Sequence, residues 1–184
     1  WSLMRNTQSE NIQEHSLQVA MIAHALAEIR NRQLAGSAPP VDVSQVVLLA
    51  LYHDAAEILT GDMPTPVKYA NPAIRDAYKA VETVAAEKLL SLLPGELEPS
   101  YRPLLLPDLD EPRTAAAVRL VKAADRISAY IKCLDEEKAG NTEFRQAGES
   151  VRKKLDAVAK ELPEVAWFMR ELLPSFALSL DDLS

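Results

Sequence analysis

An adjacent histidine and aspartate, His53 and Asp54, lie inside the apolar run VVLLALYHDAAEIL. Burying an ionised carboxylate without a partner is costly, so such groups are paired with a cation or bound to a metal. The chain offers two further candidate ligands, His15 upstream and Asp125 downstream. Two histidines and two aspartates, with one pair in tandem, indicate a divalent-metal site suited to hydrolysis.

Helical geometry separates the candidates in this set. On a continuous helix Glu57 lies at i+4 from His53, so one helical turn is expected to present His53, Asp54 and Glu57 to one cavity. His15 and His24 lie nine residues apart on the first predicted helix, about 180° around its axis, so both cannot face one site. We select His15, because a pocket can open at a helix start, and expect His24 to be a packed or surface histidine.

Asp125 lies on an apolar helical stripe, in AAAVRLVKAADRISAYIKCL. From this position alone it is either paired with a nearby cation, Lys122 or Arg126, or bound to a metal. Imidazole and carboxylate ligands together suit Mn, Co, Fe, Zn or Mg, and the type of ligand does not decide between them. The chain has only three histidines, which favours a single ion over a cluster. Glu57, near the pair but not needed as a ligand, is the candidate that handles protons.

The composition predicts a single all-α domain over residues 1–184, an array of about five to seven helices. The 184 residues are 48% hydrophobic and include only five glycines, which favours a helical core. A net charge of −7 without a long basic run disfavours a nucleic acid polymer as partner. Cys133 is the single cysteine, which excludes an intramolecular disulfide and fits a cytoplasmic, reducing compartment. No apolar run reaches about 18 residues, so no membrane association is expected.

Apolar spacing, capping residues and helix breakers predict the order of elements. The predicted elements are a helix over 12–29, a loop over 33–42, a helix over 43–59 that ends at Gly61, a stiff loop at GDMPTPV, a helix from Asn71-Pro72 to about Leu93, an irregular proline-rich stretch over 94–112, a helix from a cap at Asp110 to Lys138, and one or two helices over 142–162 and 163–173. On the third helix the predicted buried stripe is Ile74, Tyr78, Val81, Val84 and Leu89.

The order of these motifs resembles that of the HD-domain metal-dependent phosphohydrolases: a first His, then a His-Asp pair, then a later Asp. The segments EHSLQVA, YHDAAEILTGDMPTPVK and KAAD, together with the tail PSFALSLDDLS, resemble more closely the bacterial 5′-deoxynucleotidase (YfbR-like) family. The resemblance implies an HD-type helical fold, a homodimer, and hydrolysis of deoxyribonucleoside 5′-monophosphates to deoxynucleoside and phosphate. It also implies a role for Glu57 as the catalytic carboxylate, with the metal ligands His15, His53, Asp54 and Asp125.

The resemblance also implies which residues contact the substrate. The implied set is Trp1, His15, Asp62, Met63, Pro64, Thr65 and Asp125. Trp1 would pack against the sugar and exclude a 2′-hydroxyl, a contact that gives roughly 1–3 kcal/mol of preference for deoxyribose. Asp62 would accept a hydrogen bond from the 3′-hydroxyl. The family places an arginine immediately before this tryptophan, and the sequence here begins at the tryptophan.

Two alternative functions remain open at this stage. HD domains also hydrolyse nucleoside triphosphates, cyclic dinucleotides and alarmones, although the short GDMPTPV loop favours a small pocket and hence a monophosphate. A non-catalytic helical module that binds nucleotides belongs to a different class, but it would not need a spare carboxylate such as Glu57 beside the ligands. No residue of the sequence reveals a preference for one base.

Overall fold

The computed structural model describes residues 1, 3–68, 70–178 and 181–183, without the side chains at 65, 66 and 183. Within these residues the chain is helical and contains no β-strand, only an isolated bridge between Ala35 and Ala38. The helices are α1 (Ile12–Glu28), α2 (Val43–Tyr52), α3 (Glu57–Thr60), α4 (Thr65–Lys68), α5 (Pro72–Leu90), α6 (Glu98–Leu105), α7 (Pro112–Lys138), α8 (Arg145–Glu161) and α9 (Pro163–Glu171).

This architecture confirms the predicted all-α fold. Seven helices in the described part of the chain have eight residues or more, and α3 and α4 are single turns. A π-helical turn, Ile29–Gln33, extends α1, and 3-10 turns lie at Thr142–Phe144, Leu173–Ala177 and Asp181–Leu183. Among these elements no helix is both long enough and apolar enough to cross a bilayer.

The core is centred on α1, which packs against both α2 and α7. The inner side of α1 is apolar and buried: Val19, Ile22 and Leu26, with Ile29 in the turn that follows, are nearly inaccessible to solvent. Burying an aliphatic side chain of this size contributes about 1.5–3 kcal/mol, so the stripe fixes α1 between its two neighbours. α8 packs against α7 and α9 against α8, which closes the other side of the core.

Polar caps fix where the first helices begin. The side chain of Asn11 accepts hydrogen bonds from the backbone of Gln13 and Glu14, and Glu14 returns one to the Asn11 backbone, which completes a capping box. Asp42 caps α2 in the same way. The predicted cap at Asn71 is confirmed, since its side chain accepts from the Ile74 backbone. Each such cap contributes about 1 kcal/mol.

Outside the segment 43–59, three predicted elements differ from the structure. The stretch 94–112 was expected to be irregular, but it contains α6, because Pro99 lies in the first helical turn, where a missing N–H costs no intrahelical bond. The GDMPTPV loop likewise includes the single turn α4. The cap of α7 is Glu111 rather than Asp110, since the Glu111 carboxylate accepts from the backbone of the first turn.

The predicted buried stripe of α5 is also wrong in part. Tyr78 is buried, but Val81 and Val84 are 51% and 69% exposed. The side of α5 that packs inward carries alanines, Ala85 and Ala86, beside Leu90. A search for large apolar residues in the sequence does not find the inward side of α5, because helices that pack closely have small residues such as alanine at their contact.

Candidate metal centre

The predicted ligands come from three parts of the fold that the core brings together. His15 lies in the first turn of α1, His53 and Asp54 follow the end of α2, and Asp125 lies in the middle of α7. Because α1 packs against both α2 and α7, these side chains meet on one side of the core. The ring centroids of His15 and His53 are 5.4 Å apart.

The donor atoms of these residues lie close enough to surround a single ion. His15 Nε2 is 3.3 Å from Asp125 Oδ1 and 3.5 Å from Asp54 Oδ2. His53 Nε2 is 3.1 Å from Asp54 Oδ2. The ligand atoms of His15, His53 and Asp125 all lie within 4.8 Å of one another. Two donors about 2.1 Å from one ion and at right angles are about 3 Å apart, so the spacings of 3.1, 3.3 and 3.5 Å fit a common cation. Asp54 lies beside the group of His15, His53 and Asp125 rather than within it.

The orientation of His53 supports a ligand role. Its Nδ1 lies 2.8 Å from the carbonyl oxygen of Ala50, a contact in which Nδ1–H donates. In the neutral ring the lone pair is then on Nε2, which is buried and faces Asp54 Oδ2 at 3.1 Å. Ligating histidines commonly donate their other ring N–H to a backbone carbonyl, which fixes the tautomer in this way.

The same hydrogen bond corrects the prediction for this segment. The prediction of one helix over 43–59, with Glu57 one turn above His53, is wrong, because α2 ends at Tyr52 and α3 begins at Glu57. In a continuing helix the Ala50 carbonyl would accept from the Asp54 N–H, but it accepts from the His53 side chain. A non-helical turn between the two helices therefore presents the His-Asp pair, and it is closed by a bond from Glu57 N to Asp54 O at 2.9 Å.

His15 is held by residues that the sequence analysis did not identify. Its Nδ1 lies 3.7 Å from Glu10 Oε2 and 3.5 Å from Ser128 Oγ. Ser128, buried on α7, donates a 2.6 Å hydrogen bond to Gln18 one turn further along α1. These contacts leave Nε2 to face Asp54 and Asp125. No motif marks Glu10 or Ser128, since each becomes a neighbour of His15 only through packing.

The electrostatics of the cluster favour positive charge at its centre. Burial acts to lower the pKa of His15, but Asp125 and Glu10 outweigh it and raise the pKa to about 10. Burial likewise opposes ionisation of His53, yet Asp54 raises its pKa above the usual value. The pKa of Asp54 is lowered despite burial, chiefly by His53 and His15. Carboxylates that stabilise protons on two imidazoles form a donor set that also suits a divalent cation, which displaces those protons on binding.

Glu57 lies at the start of α3, beside the cluster and partly buried. Burial raises the pKa of Glu57 to about 8, and the charges of Asp54 and Asp62 act in the same direction. Lys68 and His53 oppose this shift without cancelling it. A carboxyl group with this pKa can both donate and accept a proton near neutral pH.

The residues expected on the substrate side lie on a second loop beside the cluster. The backbone nitrogen of Trp1 is 3.4 Å from Asp62 Oδ2, and the Trp1 ring packs against Phe144 with centroids 5.2 Å apart. Met63 and Pro64 are half-buried next to Asp62. The backbone of Thr65 begins α4, and its side chain lies outside the described part of the structure.

The turn that precedes this loop is fixed by α5. Gly61 has a φ of +70°, a conformation that glycine adopts without strain, and its carbonyl accepts a 2.7 Å hydrogen bond from Tyr78. Lys68 binds Glu82 at 2.7 Å and lies over the Tyr78 ring. The buried Tyr78 therefore supports the loop that carries Asp62. From its position on the apolar stripe of α5, Tyr78 is predicted only as a core residue.

His24 lies outside the cluster, as the helical geometry predicted. It is exposed and lines an open apolar groove between α1 and α2 together with Leu17, Met21, Val47 and Leu51.

Comparison with known proteins agrees with this geometry. The family described as 5′-deoxynucleotidase YfbR-like matches residues 1–176. A 5′-deoxynucleotidase yfbR from Photorhabdus temperata is 48% identical over 184 residues, which cover all of this chain and 89% of that protein. A 5′-deoxynucleotidase from Vibrio cholerae serotype O1 is 48% identical over 186 residues, covering all of this chain and 91% of its own length.

A solved structure shows the same fold. The crystal structure of an HD-domain phosphohydrolase from Listeria innocua superposes with a TM-score of 0.76 at 24% identity, covering 97% of this chain and 82% of that one. The fold alone does not identify the family. The family match and the two relatives, which align with the whole of this chain, do identify it. The chain belongs to the YfbR-like 5′-deoxynucleotidase family.

Proposed function

We propose that this protein is a divalent-metal-dependent 5′-deoxynucleotidase, which hydrolyses deoxyribonucleoside 5′-monophosphates to deoxynucleoside and phosphate. The observation that carries the proposal is the convergence of donor atoms from His15, His53 and Asp125 within 4.8 Å, with Asp54 beside them. The names of the full-length relatives support the choice of substrate.

The proposed metal ligands are His15, His53, Asp54 and Asp125, which would hold one ion of Co, Mn, Fe, Zn or Mg. The buried Nε2 of His53, which faces a carboxylate oxygen of Asp54, supports this assignment. When bound, such an ion activates water as a nucleophile and neutralises charge on the phosphoryl group.

We propose that Glu57 carries out the proton transfer that hydrolysis requires. Hydrolysis joins the oxygen of water to phosphorus, breaks the bond between phosphorus and O5′, and requires a proton on the departing O5′. We assign Glu57 to this proton traffic, because it is partly buried beside the ligands and is not itself needed as one. Its neighbours Asp54 and Asp62 favour the protonated carboxyl group that a proton donor needs.

The proposed substrate contacts lie on the side of the cluster nearest Trp1. Trp1 would exclude a ribose 2′-hydroxyl, and Asp62 would accept from the 3′-hydroxyl. Met63, Pro64 and Thr65 complete the proposed wall, and His15 and Asp125 face the phosphate.

We also propose a cytoplasmic homodimer that acts in nucleotide metabolism on small nucleotides rather than on nucleic acid polymers or membranes. The net charge of −7 supports the choice of small substrates, and the lone buried Cys133 is compatible with a reducing compartment. The exposed apolar residues along α1 and α2 support self-association.

The test is phosphate release from each deoxy- and ribonucleoside monophosphate after chelation and addition of Co, Mn, Mg or Zn. We expect activity only with added metal, and faster hydrolysis of deoxyribonucleotides. Faster hydrolysis of di- or triphosphates would favour another HD-type hydrolase, and no hydrolysis at all would favour a binding module. His15→Ala should abolish metal binding, whereas His24→Ala, on the same helix, should leave it intact.

A further inference from the structure

We propose that Glu136 is a positioning residue, whose buried carboxylate clamps the N-terminal segment (residues 1 and 3–11) so that Trp1 is held beside Asp62. The inference rests on the proposed function, because it gives the clamp a role in selecting deoxyribose. Glu136 lies near the end of α7, eleven residues or about 16 Å beyond Asp125, and touches no predicted ligand.

The carboxylate of Glu136 is 1% exposed and is surrounded by donors. From the N-terminal segment it accepts the backbone N–H of Thr7 at 2.9 Å, the Thr7 hydroxyl at 2.8 Å and the backbone N–H of Gln8 at 3.4 Å. From its own side of the molecule it accepts from Lys132 at 2.5 Å and Asn141 at 2.8 Å. Nearly every acceptor position is thus occupied, and three donors belong to the segment that it fixes.

Further bonds extend this clamp toward Trp1. Asn141 also donates to the carbonyl of Arg5 at 2.7 Å, and the Arg5 backbone N–H donates to Glu143 at 3.2 Å. Phe144, the next residue, is fully buried and forms the surface against which the Trp1 ring packs. The turn after α7 therefore contacts the N-terminal segment at Trp1 and Arg5, and Glu136 within α7 contacts it at Thr7.

The other end of the segment reaches the metal centre. Lys132 donates to the carbonyl of Gln8 at 2.5 Å, and two residues later Glu10 lies 3.7 Å from His15 Nδ1. The segment thus runs from Asp62 on one side, across Glu136, to His15 on the other. Among the contacts of the described part of the segment, the Glu136 carboxylate is the buried acceptor.

Charge is what makes this contact effective. Hydrogen bonds to an ionised acceptor are about twice as strong as neutral ones, and burial strengthens them further. A glutamine at position 136 keeps the size of the side chain, but its amide group would point a donor at the donors of Thr7, Lys132 and Asn141. The segment would then lose its anchor while α7 keeps its packing.

The test uses a Trp167→Phe background, in which Trp1 is the only tryptophan. In Glu136→Gln we expect acrylamide quenching of Trp1 fluorescence to increase about twofold, and KM for deoxynucleotides to rise about tenfold with kcat within about twofold. The ratio of deoxyribo- to ribonucleotide hydrolysis should fall about fivefold to tenfold. Metal content should stay at the wild-type value.

Glu164→Gln is the matched control. Glu164 is equally buried, at 1% exposed, but it pairs with Arg30 in the π-helical turn after α1, away from the described part of the N-terminal segment. We expect it to lower the melting temperature without changing the quenching or the substrate ratio. If Glu136→Gln does not fold, Asn141→Ala replaces it. This variant removes the hydrogen bonds from Asn141 to Arg5 and to Glu136, and the same measurements apply to it.

Unchanged quenching and an unchanged substrate ratio in the folded Glu136 variant would overturn the proposal. Equal changes in Glu164→Gln would overturn it as well, because they would show a general loosening of the fold. If the wild-type protein releases no phosphate, the proposed function fails, and the fluorescence measurement still tests whether Glu136 holds the segment.

Discussion

Glu57 differs from its neighbour Asp54 in its raised pKa. It lies beside Asp54 and Asp62, and the pKa of about 8 that burial and these charges produce leaves its carboxyl group able to donate a proton. Glu57→Gln removes that proton without changing the size of the side chain. We expect phosphate release to fall by about 10²–10⁴-fold. Metal content, measured by elemental analysis, should remain unchanged.

Glu87→Gln is the control for this variant, since Glu87 is an exposed glutamate paired with Arg102 on another part of the surface. It should retain full activity. Turnover near the wild-type rate in Glu57→Gln would remove Glu57 from the mechanism, and loss of metal together with turnover would make it a ligand.

Trp1 is the residue expected to distinguish deoxyribose from ribose. Trp1→Ala removes the ring that packs against Phe144 and opens space beside Asp62. We expect the ratio of deoxyribo- to ribonucleotide kcat/KM to fall about tenfold, because a contact of this kind contributes roughly 1–3 kcal/mol. Paired assays with dAMP and AMP measure the ratio. Trp167→Phe, at a half-buried position on α9, should leave it unchanged.

The sequence indicates which residues are candidate metal ligands, but it does not indicate which residues hold those ligands in place. His15, His53, Asp54 and Asp125 stand out because a charged group on an apolar stripe needs a partner, and the structure brings them together. Glu10 and Ser128 do not stand out, because polar residues near a helix start or on a helix face are common. Their contacts with His15 exist only once α1 and α7 are packed.

The elements around the site make stability depend on pH through Glu136. Burial acts to raise the pKa of Glu136, but bonds from Lys132, Thr7 and Asn141 hold it well below its usual value of 4.5. A carboxylate with a lowered folded-state pKa stabilises the fold above the unfolded-state pKa, and this contribution is lost as the pH falls below it.

We therefore expect the free energy of unfolding to fall as the pH drops below about 4.5, and Glu136→Gln to show a shallower fall over the same range. Urea titrations at steps between about pH 3 and 7 measure both slopes. An identical slope in the variant and the wild-type protein would show that Glu136 titrates normally in the folded state.

The elements themselves were predictable where the signal was local. Asn11, Asp42 and Asn71 cap helices as their residue types suggest, and the apolar period of α1 identifies its buried side. The end of α2 was not predictable, because it depends on a side-chain bond from His53 to Ala50 that competes with the helix. The inward side of α5 was missed for another reason, since alanines carry little hydrophobic signal.

The whole molecule leaves an apolar surface on α1 and α2 that a second copy could cover. Met21 is 67% exposed, and Leu17, Leu48 and Leu51 are exposed on the same two helices. We expect light scattering to give the mass of a dimer for the wild-type protein and of a monomer for Met21→Lys, because a buried unpaired lysine opposes association. Val84→Lys, at an exposed apolar position on α5, should remain dimeric. The reverse pattern would place the interface on α5.

The central claim concerns one cation held by side chains from α1, α7 and the turn after α2. The most direct measurement is anomalous diffraction from crystals grown with Mn or Co. We predict one peak per chain, about 2.0–2.3 Å from Nε2 of His15 and His53 and from carboxylate oxygens of Asp54 and Asp125. A map with no peak between the two imidazoles, or with an ion bound elsewhere, would contradict the account.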